Sequence, residues 1–204
     1  MSSTKALRTR TLLLDCARNI ILDEGLERLS MDRVAKAAGL SKGAVMYHFE
    51  TKRALQAALL QDYAAHLERG LAEHEALFEG TPAETLIPGF LEWFRSFEAD
   101  NRGWAAVGIQ LLSLQQSDPA LLEPVRMWYA RLFDRAASLP ARQRPRALLV
   151  LMALEGFFFT HKFGLDLVSG PAKEAVCRLM LELAGASNMQ RRPDAKAQEE
   201  PLTQ

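Results

Sequence analysis

SMDRVAKAAGLSKGAVMYHFETK, residues 30–52, reads as two short helices joined by a tight turn. Ser30 is a good N-cap before an apolar face of Met31, Val34, Ala35 and Ala38, spaced i, i+3, i+4, i+7. Gly39 stops the first helix, since glycine enters the left-handed conformation without a Cβ clash. Ser41 caps a second helix whose Val45 and Phe49 face inward, leaving Lys42, Ala44, Tyr47 and His48 largely outward. A cation, a small residue, an aromatic hydroxyl and an imidazole on the free face of a short helix suit a DNA groove. An ordinary helical hairpin with a solvated outer face fits the same spacing.

Upstream, residues 5–24 carry Leu13, Leu14, Ala17, Ile20 and Ile21 at helical spacing, and Gly25 ends that helix. It supplies the third wall of a small core, preceded by Lys5, Arg8 and Arg10, which are solvated or touch the DNA backbone. Downstream, Thr51 caps a long fourth helix over residues 52–78, with Leu55, Leu59, Tyr63 and Leu67 on its apolar face, and EGTP at 79–82 breaks it. Further helices are predicted over 83–99, 104–115 and 117–138, then, after a turn bracketed by Pro140 and Pro145, an eighth to about Val168 and, past Gly170-Pro171, a ninth to about Ala184, with no strand alternation between them. The tail from Ser187 has almost nothing to bury and is predicted to be disordered.

Several positions of the opening stretch, together with Gly25 before it, recur as a set: Gly25, Ser30, Val34-Ala35, Ala38-Gly39-Leu40-Ser41, Gly43, His48-Phe49 and Lys52. Their fixed spacing resembles the helix-turn-helix signature of the TetR family of bacterial transcriptional regulators, without a gap from about Leu13 to Leu60. The expected architecture is all-α, with about nine helices. A three-helix DNA-binding domain (1–51) precedes a larger helical ligand-binding and dimerisation domain (52–186) and a disordered tail (187–204). The resemblance implies a homodimeric transcription regulator, most simply a repressor released from a palindromic operator by a small apolar or amphipathic inducer. A tilt of the fourth helix would alter the separation of the two recognition helices.

By the same resemblance Lys42 reads bases, Gly43 lets the backbone come close, and the Ala44 methyl meets a thymine methyl. Tyr47, His48 and Lys52 contact phosphate, and Arg33 reaches a phosphate or base edge from the earlier helix. Met46 departs from the family, which usually has tyrosine there; it can touch a thymine methyl but donates no hydrogen bond.

Charge distribution agrees with a nucleic-acid partner. The net charge is zero, yet residues 1–60 hold ten Lys and Arg against six Asp and Glu, and the remainder carries the opposite surplus of four. Ala147 to Phe159 is apolar except for Gly156 and Glu155, so that helix must be covered on every side. Ala172, Val176, Leu179 and Leu183 form a seam on the last helix. Two such helices from each of two subunits would make a four-helix bundle, with Leu151, Phe159, Val176, Leu179 and Leu183 at the dimer interface. Simple internal core is the competing reading of both helices.

An inducer pocket is expected among Phe94, Phe97, Trp104, Gln110, Trp128, Glu155, Phe158 and His161, although aromatic residues at helical spacing also serve as plain core. Glu155 is either the counter-ion for a lipophilic cation or one half of an ion pair with His161 or an arginine. Enzyme chemistry finds no support: the histidines at 48, 66, 74 and 161 have no metal-ligand spacing, and neither a phosphate loop nor a nucleophile elbow is present. No cofactor is expected. Cys16 and Cys177 form no disulfide framework, and no apolar run reaches the roughly 20 residues that a membrane helix needs. A soluble, cytoplasmic protein is therefore expected. A helical homodimeric adaptor without sequence-specific DNA binding is the alternative, and it leaves the charge asymmetry unexplained.

Overall fold

The computed structural model describes residues 2–100, 102–165 and 167–192. Nine α-helices are formed among them: α1 (Ser2–Glu24), α2 (Met31–Ala38), α3 (Lys42–His48), α4 (Lys52–Glu75), α5 (Leu86–Asp100), α6 (Arg102–Leu112), α7 (Glu123–Ala137), α8 (Arg144–Lys162) and α9 (Gly170–Ala184). Short 3-10 turns occupy Leu26–Arg28, Ser113–Gln116 and Pro119–Leu122. The chain divides into two compact units, Met1–Ala65 with Arg102–Met127 and His66–Asn101 with Trp128–Gln204.

In the first unit the caps act as their residue types dictate. The Ser30 hydroxyl accepts the Arg33 N–H at 3.3 Å and the Ser41 hydroxyl accepts the Ala44 N–H at 3.2 Å. Gly39 closes α2 at φ 66°, and the Leu40 N–H returns to the Ala35 carbonyl at 2.9 Å. Leu13, Ala17, Ile21, Val34, Val45 and Phe49 meet in the sealed core of this head, and Leu55 and Leu59 of α4 are buried with them. α6 completes the unit. Its Gly108 leaves room for Tyr63, whose hydroxyl lies 2.5 Å from where a Cβ would stand.

The second unit is held by aromatic packing. The Phe158 ring of α8 lies 5.0–5.2 Å from Phe90, Trp93, Phe94 and Phe97 of α5. α4 and α5 cross closely because two positions lack side chains. A Cβ on Gly70 would stand 2.6 Å from the Trp93 ring, and one on Gly89 would stand 2.8 Å from the Glu75 backbone. Arg135 of α7 pairs with Glu75 and donates to the Pro82 carbonyl, fixing the end of α4.

Several boundaries differ from the sequence reading: α6 ends at Leu112, not 115, and α7 starts at Glu123, not 117, behind the 3-10 turn Pro119–Leu122. α4 ends at Glu75, not 78. α5 starts at Leu86, not 83, because Pro88 has no N–H for the Glu84 carbonyl, and residues 81–85 form a turn instead. α8 stops at Lys162, six residues early, where Gly164 takes φ 66° and the Leu165 N–H closes onto the Thr160 carbonyl at 2.8 Å. The start of the tail is ordered: Glu79 N–H bonds the Gln190 carbonyl, Arg192 N–H bonds the Leu77 carbonyl, and Arg191 pairs with Glu92. Its remainder, residues 193–204, lies outside the described residues.

Candidate nucleic-acid interface

α3 presents a clear two-sided surface. Val45 and Phe49 are sealed inside, while Tyr47 is 81% exposed and Met46 is 45% exposed. Lys42 and Gly43 at the start of the helix are open, and Ala44 and His48 are half-buried at its flanks. The Tyr47 and His48 rings meet edge to face with centroids 5.1 Å apart, so each limits the rotation of the other. Gly43 would place a Cβ no closer than 3.9 Å to anything outside its own helix, which leaves its outer side open to a ligand. Lys52 is exposed in the first turn of α4, where the Thr51 hydroxyl takes the Ala54 N–H at 3.0 Å and other first-turn amides remain available to phosphate.

The cations here have acidic neighbours. Lys42 Nζ stands 3.0 Å from Asp32, Arg33 pairs with Glu24, and Arg53 Nε donates to Asp118 at 2.6 Å. Arg53 holds the Asp118 carboxyl below the usual carboxylate range through that hydrogen bond. The Arg10 guanidinium lies 5.0 Å from the centre of the Phe49 ring, which anchors α1 beside the end of α3. No local pattern announces the Arg53–Asp118 pair, which joins positions 65 residues apart.

The expected pocket residues do not form one group. Phe94, Phe97, Phe158 and His161 lie together in the second unit, with the His161 ring 5.6 Å from Phe97. Trp128 packs edge-on against Trp93 there. Glu155 is half-buried and accepts the Tyr129 hydroxyl at 3.1 Å. Burial raises its carboxyl above the ordinary value, against the opposing pull of Lys162 and the Tyr129 hydrogen bond.

Trp104 and Gln110 belong to the first unit instead. Trp104 stacks on Tyr63 beneath the Arg18 guanidinium. The Gln110 amide accepts the Leu26 N–H at 2.7 Å and donates to the Ile21 carbonyl at 3.0 Å, clasping the turn between α1 and the 3-10 segment. A polar side chain half-buried among apolar ones needs a partner, and this one finds it in backbone. A cleft of about 230 Å³ opens between α4 and α5, and of the eight expected pocket residues only Phe97 lines it.

At the expected dimer face Phe159, Leu179 and Leu183 are exposed and Val176 is half-buried. Leu151 is a correction: it is 0% exposed within the protomer, so no partner can reach it. Leu149, Met152 and Phe163 take the outward positions of α8 and its end instead. Among the described residues no helix is long and apolar enough to cross a membrane, and no His, Cys, Asp and Glu side chains gather into a metal site.

Comparison with known proteins agrees with this architecture. Residues 13–59 match the family model described as bacterial regulatory proteins, tetR family, and residues 89–185 match the tetracyclin repressor-like C-terminal domain. The HTH-type transcriptional regulator UidR of Escherichia coli strain K12 is 40% identical over 78 residues, 38% of each chain. The HTH-type transcriptional repressor AcnR of Corynebacterium diphtheriae is 25% identical over 122 residues, 59% of this chain and 57% of that one. The matched part thus spans well under two thirds of the length of these curated relatives.

Among solved structures, a transcriptional regulator from Rhodococcus sp. Rha1 superposes with a TM-score of 0.66 at 25% identity, over 87% of this chain and 97% of that one. The multidrug binding protein EbrR, solved with malachite green, gives 0.61 at 23% identity over 85% and 96%. With its N-terminal helix-turn-helix and its helical C-terminal domain each matched by a family model, the chain belongs to the TetR family of bacterial regulatory proteins.

Proposed function

We propose that this chain is a ligand-responsive transcriptional repressor that binds a palindromic operator as a homodimer. The observation that carries the reading is the two-sidedness of α3: Val45 and Phe49 anchor it to the core while Lys42, Met46 and Tyr47 stand clear. In this reading Lys42 meets base edges, Ala44 and Met46 meet thymine methyls, and Tyr47, His48, Lys52 and Arg33 fix the phosphate backbone. Gly43 admits the DNA backbone.

The dimer forms through the outward faces of α8 and α9, where the apolar side chains of Leu149, Met152, Phe159, Leu179 and Leu183 are exposed in the protomer. The inducer enters the second unit and shifts the population toward a dimer that no longer matches its operator, which takes a differential affinity of about 3 kcal/mol for a hundredfold release. α4 is the natural carrier of that shift, since residues 52–65 belong to one unit and 66–75 to the other. Glu155, whose acid is desolvated and held by Tyr129, suits an amphipathic cation as inducer. Glu155→Gln weakens cationic inducers and spares neutral ones of the same shape; equal loss for both removes Glu155 from that role.

Selection of bound sequences from random duplex DNA tests the whole reading. A palindrome with half-sites about 34–36 Å apart, and binding that falls steeply with salt, is the expected result. Weak, sequence-independent binding would move the helical adaptor to the front.

A further inference from the structure

The cleft between α4 and α5 has a chemistry of its own. Its floor is the indole of Trp93 and the ring of Phe97, both buried. Phe90, Phe158 and Trp128 crowd the Trp93 ring on its other sides, with ring centroids 5.1–6.3 Å away. The edge that faces α4 carries Nε1, which stands 2.6 Å from the position a Gly70 Cβ would occupy. No acceptor for that N–H lies among the described residues. Among the described residues only the Nε atoms of Arg18 and Arg135 are sealed from solvent without a hydrogen-bond partner, so the Trp93 N–H opens to the cleft although the residue is 6% exposed.

Arg69 and Glu73 stand at the rim, one turn apart on α4, and form no ion pair with each other or with another described residue. The His74 Nδ1–H donates to the Gly70 carbonyl at 2.7 Å, which leaves Nε2 as its free corner. An aromatic ring is negative on its faces and positive at its edge. Because Trp93 offers its N–H edge, the floor favours an anion and disfavours a cation, in spite of Glu73. The volume equals about eight water molecules at roughly 30 Å³ each, enough for one substituted ring.

We propose that this cleft binds a small aromatic monocarboxylate. The carboxylate takes the Arg69 guanidinium and the Trp93 N–H, while the ring of the ligand lies on Phe97. The proposal concerns a site apart from Glu155 and holds whether or not the chain binds DNA. Sodium benzoate titrated into the ¹⁵N-labelled full chain tests it, because the three tryptophans give three indole N–H resonances and Trp93→Phe assigns one.

Benzoate is expected to move the Trp93 resonance saturably and to leave those of Trp104 and Trp128 nearly still. Benzylamine, with the same ring and the opposite charge, binds at least tenfold more weakly. Arg69→Gln weakens benzoate tenfold or more without shifting the other two resonances, and Glu73→Gln strengthens it severalfold. A Trp93 resonance that stays put, benzoate binding indifferent to Arg69, or benzylamine binding as well as benzoate would each overturn the proposal. DNA binding is not read in this assay, so failure of the repressor reading leaves its result intact.

Discussion

Gly156 sits in the middle of α8, on its outward face, and a Cβ added there would meet nothing within 4 Å in the protomer. Intrinsic helix propensity makes an interior glycine about 1 kcal/mol worse than alanine. Gly156→Ala should therefore stabilise the isolated protomer by about 1 kcal/mol, which is roughly 2–4 °C for a chain of this size. The proposed dimer reverses the sign. Leu149, Gly156 and Phe163 lie seven residues apart, with Met152 and Phe159 between them, and the four large side chains are all exposed. That is the spacing of a helix–helix seam, and a glycine at its centre lets two α8 helices come close across the two-fold axis.

A methyl forced into such a contact costs about 1–3 kcal/mol, or roughly a 5- to 150-fold rise in the dimer dissociation constant. Sedimentation equilibrium reads the association, and urea unfolding at concentrations below dissociation reads the protomer. The two should move in opposite directions. If Gly156→Ala left association unchanged or tightened it while stabilising the protomer, α8 would not cross its partner at this position and the assigned face would be wrong.

Other perturbations separate the remaining parts. Lys52→Gln should lower the salt slope of DNA binding by about one per protomer and leave the selected sequence unchanged, whereas Lys42→Ala should relax one base position by about 1–3 kcal/mol; paired salt titrations on matched operators distinguish them. Gln110→Leu leaves the Leu26 N–H without its partner and should cost about 1–3 kcal/mol in thermal unfolding, with no loss of inducer affinity. Glu155 holds its proton in the folded chain at pH values where the unfolded chain has released it, because burial raises its pKa. Stability from this group is fully present below about pH 4.3 and is lost as pH rises through the raised value. Glu155→Gln should thus gain on the parent as pH rises from about 4.3 through the raised value, and a stability difference that stays flat from about pH 4 to neutral would contradict the assignment.

What the sequence disclosed was local chemistry. Ser30, Gly39 and Ser41 act on backbone groups within four residues, and the helix ends they set are found where their residue types place them. Gly164 carries the same kind of signal, yet Leu165, Leu167 and Val168 continue the apolar character of α8 and conceal the stop. Contacts through space were not legible. Gln110 resembles a pocket residue because it is polar among apolar neighbours, but its partners lie 84 and 89 residues away in sequence. Leu151 and Phe159 are both apolar on one helix, and only the fold decides that Leu151 faces its own core while Phe159 faces out. The tail has little to bury, and its order through Arg192 rests on main-chain bonds and the Arg191–Glu92 pair, which hydrophobic patterning does not report.

Pairing of the head's cations bears on how such a protein discriminates among sequences. Lys42, Arg33 and Arg53 each have an acidic neighbour, Asp32, Glu24 and Asp118. Exposed pairs of this kind contribute about 0–1 kcal/mol, so a phosphate in place displaces the acid at little cost. On DNA whose phosphates stand elsewhere the acids stay, and they cancel part of the attraction that would otherwise bind any duplex. The net charge of zero is then compatible with a DNA reader. In the repressor reading, the surplus of four on residues 1–60 draws the head to the duplex. In the same reading, the paired acids keep that attraction weak until the geometry of a matching site lets Lys42 leave Asp32 for a base edge.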